Sequence, residues 1–151
     1  MRRKDKETNK NSALETAKNC EWAVIAVTDG DAPYCVPINI VFKDDNCIYF
    51  HCAKSGRRTD CLRRNNKVCL TCAADVSTIS NRFTTGYKSA VIFGNAFEVT
   101  EDSEKLEALY LLCRKYVPQE MDNFQKEAES ALDRTAAWKI EISQITGKLS
   151  R

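Results

Sequence analysis

The sequence predicts a mainly β fold, six antiparallel strands curled into a barrel with helices at its periphery. Three observations carry that reading. Short apolar runs, several alternating with a period of two, end at Gly, Asp or Asn turn signals. Helical patterns fall between them at irregular intervals, unlike the regular alternation of a parallel doubly wound sheet, and neither a GxGxxG nor a Walker motif is present. Finally, 151 residues with 43% hydrophobic and 29% charged content suffice for one core. With no internal repeat and no linker, residues 1–151 read as a single domain.

Residues 1–11 are polar and are expected to form a flexible or loosely packed N-terminal arm. Residues 12–19 follow as a helix whose apolar stripe, Leu14 and Ala17, is thin. The first strand is 21–28, stopped by Asp29-Gly-Asp. The second is 34–43, with Val36, Ile38, Ile40 and Phe42 on one face and Pro37, Asn39 and Val41 on the other. Asp44-Asp-Asn turns the chain into the third strand, 47–53, and an arginine-rich helix spans 56–65. The fourth strand is 67–75. Residues 76–86, rich in Ser, Thr and Asn without a clear period, are expected to be a loop. The fifth strand, 87–99, contains Gly94, which marks a bulge or a close backbone approach. Asp102 is expected to cap a helix running to about Tyr116. Its stripe would be Leu106, Leu109, Tyr110, Cys113 and Tyr116 or Val117, and Pro118 stops it. A weaker helix covers 121–132. The last strand is 135–145, with Trp138, Ile140 and Ile142 alternating, and Gly147 ends it.

A net charge of +2 argues against a dedicated nucleic-acid binder. Lys54, Arg63, Arg64 and Lys67 form a basic stretch, but without the interleaved aromatics that stack bases. No apolar run approaches the roughly 18–20 residues that span a bilayer, and the charged start lacks a secretory apolar stretch. A cytoplasmic protein with no membrane or nucleic-acid partner is the expectation. The eight cysteines then read mostly as small, reduced, buried residues. Cys69 and Cys72, three apart on a strand, face opposite ways and cannot share a metal ion, so no metal site is expected.

The chemistry concentrates in residues 48–64. A strand carrying the only histidine, His51, crosses a Ser-Gly break into a helix that opens with Arg57 and Arg58. Backbone N–H groups at a helix start and two guanidinium groups suit an anion, most simply a phosphate. Ser55 is positioned to cap the helix, Gly56 to let a ligand approach, and Thr59 to add a hydroxyl. His51, beside this corner, can orient a substrate or donate a proton near neutral pH, and is the candidate catalytic residue. Asn39 is a polar residue in an apolar strand whose carboxamide can read the edge of a planar ring, and Ser89 plays a similar part. Tyr87 and Trp138 belong to the core or border a flat cofactor.

These residues resemble a known family. Tyr34-Cys-Val-Pro-Ile-Asn, Tyr49-Phe-His-Cys-Ala with Gly56-Arg-Arg, Tyr87-Lys-Ser-Ala-Val-Ile-Phe-Gly and Ile145-Thr-Gly-Lys look like the nitroimidazole-resistance (NimA-like) proteins. These belong to the wider pyridoxamine 5'-phosphate oxidase-like, FMN-binding split-barrel group. The resemblance implies a six-stranded split barrel that forms a homodimer and binds FMN in a groove at the subunit interface. Arg57 and Arg58 would hold the phosphate. Pro37, Ile38 and Asn39 would flank the ring, His51, Cys52 and Ala53 would line the groove, and Ser89 would approach from the partner subunit. Trp138, from its own pattern and not from the resemblance, is kept as a candidate cofactor-binding residue. The implied function is a nitroreductase-like FMN oxidoreductase using NAD(P)H on a small planar acceptor. A flavin-binding protein without turnover, or a related oxidase of other substrate, are the alternatives. The Arg-x-His segment with which the stricter oxidases hold substrate phosphate has no match in Arg134-Thr-Ala-Ala-Trp138, which argues against vitamin B6 oxidation.

Overall fold

A computed structural model describes residues 2–151. After a 3-10 turn at Lys4–Lys6 come β1 (Glu7–Thr8), α1 (Lys10–Asn19), β2 (Ala23–Asp29), β3 (Ala32–Ile38), β4 (Val41–Asp44), β5 (Cys47–Ala53) and α2 (Arg57–Arg64). Then follow β6 (Lys67–Ile79), β7 (Thr84–Glu98), α3 (Asp102–Tyr116), a 3-10 segment (Pro118–Asn123), α4 (Phe124–Ala131) and β8 (Thr135–Ser150). The strands form one antiparallel sheet in the order β3-β2-β6-β7-β8-β5-β4, with β1 attached to β8.

The two edge strands, β3 and β4, are consecutive in the chain and do not pair with each other, yet only Asn39 and Ile40 join them. A sheet whose opposite edges are tied by two residues must curl back on itself, and it stays open at the tie. The result is the expected split barrel. The second of the six expected strands is thus two, divided at Asn39-Ile40, and β1 brings the total to eight. The break is anchored by α3. The Tyr116 hydroxyl accepts from the Ile40 N–H (3.0 Å) and donates to its carbonyl (2.9 Å), which also accepts from Lys115 Nζ (2.9 Å). The backbone groups of a residue that left both sheet edges are therefore satisfied.

The barrel interior is packed by Ile25, Ile38, Ile40, Ile48, Phe50, Leu70, Ile92, Trp138 and Ile140, the inward-facing residues of six strands and of the link. A second, smaller cluster lies outside the sheet, where α3 covers Tyr49, Val99 and Ala137. Of the eight free cysteines, Cys20, Cys52, Cys61 and Cys72 are buried and only Cys35 is exposed; Cys72 faces inward and Cys69 does not.

Several expectations need correction. Residues 76–86 are not a loop. β6 and β7 continue as a hairpin arm to Ile79 and Thr84, and the 3-10 turn Ser80–Arg82 ends at Phe83, which is 99% exposed. The N-terminal arm is not loose, because Glu7 and Thr8 pair with Lys148 and Gly147. Gly147 does not end the last strand. It lies within it, where a Cβ would sit 2.2 Å from Thr8 Oγ1, so only glycine lets β1 and α1 close on β8. Gly94 meets both of its expectations: the β7–β8 register shifts at Phe93/Gly94, and a Cβ there would lie 2.4 Å from the Glu141 carbonyl. Asp102 is the first helical residue rather than the cap, which is Glu101 with no side-chain bond. The buried face of α3 is Lys105, Ala108, Leu109 and Leu112, offset from the expected stripe, and Tyr110 is exposed. Lys105 is buried because its stem packs while its amine donates to the Leu132 carbonyl. The prolines of β3, Pro33 and Pro37, lie opposite Thr28 and Val24 on an edge strand, where a missing N–H costs the sheet least.

Candidate functional site

The split, the end of β5 and the start of α2 converge on one region. A shallow groove of about 630 Å³ is lined by Trp22, Pro37, Ile38, Asn39, His51 and Arg58. It adjoins a corner of about 290 Å³ formed by Tyr34, Ala53, Gly56 and Arg57 among others, with Arg58 shared between the two. Pro37, Ile38 and Asn39 reach the groove because β3 ends there, and His51 because it lies on the outer face of β5, beyond the part that α3 covers.

Gly56 caps α2 with φ 131°, a backbone conformation that favours glycine, and the space beside its missing Cβ is open. The first helical bond closes from the Asp60 N–H to the Gly56 carbonyl (3.0 Å). The N–H groups of Arg57, Arg58 and Thr59 have no intrahelical acceptor, as at any helix start. The expected helpers differ. Ser55 makes no capping bond. Thr59 is buried and its hydroxyl donates to the Ala53 carbonyl (3.0 Å), so it is not free for a ligand.

The two arginines are not equivalent. Arg57 Nε donates to Asp29 Oδ2 (2.7 Å), and its guanidinium lies 4.4 Å from the centre of the Tyr34 ring. Arg64 donates to the other oxygen of Asp29 (2.8 Å), and the two guanidinium groups hold that carboxyl below the usual carboxylate range. Arg63 pairs with Glu98 through two 2.9 Å bonds. Arg63 and Arg64, read as solvent-facing, are thus charge-matched. Arg58 alone of the four is in none of these pairs. Its guanidinium sits 5.9 Å from the Phe50 ring centre, and its buried Nε has no hydrogen-bond partner. A buried donor without an acceptor costs free energy, and the side chain that carries it borders two cavities.

His51 is solvent-exposed, yet desolvation by the side chains packed around it lowers its pKa below the ordinary 6.5, and the charge of Arg58 lowers it further. His51 is therefore neutral at pH 7. Between its folded value and 6.5 the unfolded chain binds more proton, so stability rises with pH across that interval. Removing the charge in Arg58→Met should raise the His51 pKa only part of the way to 6.5, since desolvation is the larger cause. An NMR titration of this single imidazole measures it; no change would mean that the guanidinium does not act on the ring.

Eight of the ten sequence-derived residues thus line these two cavities, two of them with qualification. Ile38 and Cys52 are largely buried, and the Cys52 thiol faces Thr59 Oγ1 (3.5 Å) in the interior. Two do not line them. Ser89 lines a separate cavity of about 770 Å³ with Tyr87, Cys72 and Val76, and only Trp22 belongs to both that cavity and the groove. Trp138 is 2% exposed and stacks on Phe50 in the core, with ring centres 6.3 Å apart, so it cannot border a ligand. The sequence reading missed Trp22, Tyr34 and Asp29. Trp22, just before β2, is marked by the 54% exposure of a large ring, which only the fold reveals.

Residues 10–149 match the family model described as pyridoxamine 5'-phosphate oxidase, and the chain belongs to that family. Solved structures share the fold. A candidate 5-nitroimidazole antibiotic resistance protein from Bacteroides thetaiotaomicron is 24% identical with a TM-score of 0.77, covering 93% of this chain and 83% of its own. An FAD-binding protein from Mesorhizobium loti is 17% identical (TM-score 0.72, covering 96% and 97%). An FAD and heme binding protein from Mycobacterium smegmatis is 20% identical (TM-score 0.72, covering 93% and 69%). No curated protein matches the chain in sequence. Among the described residues no helix is long and apolar enough to cross a membrane.

Proposed function

We propose that this chain is a homodimeric, FMN-dependent oxidoreductase that reduces a small planar acceptor of the nitroaromatic kind, with NAD(P)H as donor. The observation that carries it is Arg58, whose side chain has no hydrogen-bond or ion-pair partner among the described residues and lines both a ring-sized groove and the corner at a helix start. A phosphate dianion supplies the acceptor that these donors lack. The FAD-binding proteins of the same fold support a flavin as the ligand, and one phosphate-sized corner at one helix start favours the monophosphate, FMN.

Bound FMN supplies reversible two-electron chemistry. The protein's own part is to bind and orient. Arg58 and the N–H groups at the start of α2 hold the phosphate, assisted by Arg57. Pro37 and Ile38 would back the ring, Cys52 and Ala53 would line the passage between ring and phosphate, and the Asn39 carboxamide, next in the chain to the anchored Ile40, would read a polar ring edge. His51 faces the acceptor side as a neutral imidazole, a hydrogen-bond donor at one nitrogen and an acceptor at the other. Ser89, in its own cavity, contributes only across a homodimer interface.

The test is direct. The protein purified with FMN should be yellow, bleach anaerobically with NADH or NADPH, and regain colour when a 5-nitroimidazole is added. Failure to bleach would leave a flavin-binding protein without turnover. Failure to bind FMN at all would end the proposal.

A further inference from the structure

A second cavity, of about 470 Å³, lies under the C-terminal helices and belongs to neither the groove nor the phosphate corner. It exists because α4 stands off from the barrel. Phe124 props it against Tyr110 of α3 edge to face, with ring centres 5.3 Å apart, and Lys105 ties the Leu132 carbonyl at its far end. Of the four α4 residues that line the gap, Phe124, Glu127, Ala128 and Ala131, the two alanines are too small to fill it. Leu109, Leu112, Val117 and Phe124 make the walls apolar. His51 lies on its boundary and is the one residue that this cavity shares with the groove.

The charge of this cavity is one-sided. Its lining contains Glu120 and Glu127, and no lysine or arginine. Among the described residues neither carboxylate has an ion-pair partner; Glu120 accepts only from Asn123 (3.3 Å). An apolar cavity of this size takes a one- or two-ring ligand. Its carboxylates repel an anion and attract a cation.

We infer that the space between α3, α4 and His51 is a binding site for an uncharged or cationic aromatic ligand, excludes anionic ones, and presents the ligand to the groove through His51. The binding site itself does not depend on a flavin. That its ligand is the electron acceptor rests on the function proposed above, whose substrate class it then narrows.

Three probes with one ring and different charge test this: 4-nitrobenzyl alcohol, 4-nitrobenzylammonium and 4-nitrobenzoate. They are titrated into the isotopically labelled full chain without FMN. Amide shifts should map to Leu109, Leu112, Phe124, Ala128 and His51. The alcohol and the ammonium should bind, and the benzoate roughly tenfold or more weakly at low salt. Glu120→Gln with Glu127→Gln should remove most of that discrimination. Leu112→Trp and, on the other helix, Ala131→Phe should each abolish binding of the alcohol while leaving FMN affinity unchanged. Shifts confined to Asn39, Arg58 and Trp22, a benzoate that binds best, or wild-type affinity in both filled variants would overturn the inference. The shift map needs no variant, so a substitution that fails to fold does not protect the idea. Probe binding without FMN binding would sink the flavin reading alone, and the reverse would sink the pocket alone.

Discussion

Arg58→Ala is expected to weaken FMN binding by roughly 10- to 150-fold, the equivalent of the ~1.5–3 kcal/mol that a hydrogen bond to a charged group contributes. Arg57→Ala should cost clearly less. Its Nε is already committed to Asp29 and its side chain is 60% exposed, so its charge is both shared and screened. Arg58→Lys should fall between wild type and alanine, keeping the charge and losing the planar fork. Quenching of flavin fluorescence on binding measures all three. Arg58 also gives up no hydrogen bond of Nε when removed, so the melting temperature without FMN should scarcely move. Equal losses in the two alanine variants, or an unchanged affinity when both are replaced, would remove the phosphate from this corner.

The second large effect concerns Trp138. With its ring in the barrel interior against Phe50, Trp138→Ala should destabilise the fold by about 3–5 kcal/mol through lost burial and an unfilled cavity. Trp138→Phe should cost much less. The indole N–H has no partner, so no hydrogen bond is lost with it. Urea unfolding gives these differences, and FMN affinity per folded molecule should be the same in all three proteins. A variant that kept its unfolding midpoint and lost FMN would instead return Trp138 to the binding surface.

The sequence made β5 and α2 legible because two periods meet there. Ile48, Phe50 and Cys52 alternate with Tyr49, His51 and Ala53, and a Ser-Gly break then admits a helix with its arginines in the first turn. The hairpin arm beyond Asp75 was not legible. Its strands satisfy each other's backbone while burying almost nothing, so no hydrophobic period records them. The α3 face was misjudged because a lysine occupies a buried position, a use of its long stem that composition hides. Asp29 lies 28 residues from Arg57, and nothing local announces their pairing. The cavity under α4 was invisible for a related reason. It is produced by alanines, by what those side chains omit.

Pro33 and Pro37 carry a consequence for how copies of this chain meet. A β-strand recruits a neighbour by offering a continuous ladder of donors and acceptors along its free rim, and two imino residues within seven leave this rim short of donors. Strand-to-strand zippering of one molecule onto another along β3 is thereby discouraged, and with it the commonest route from barrel to fibril. Along this edge, unlike the proline-free rim of β4, association is left to side chains, where shape and charge choose the partner.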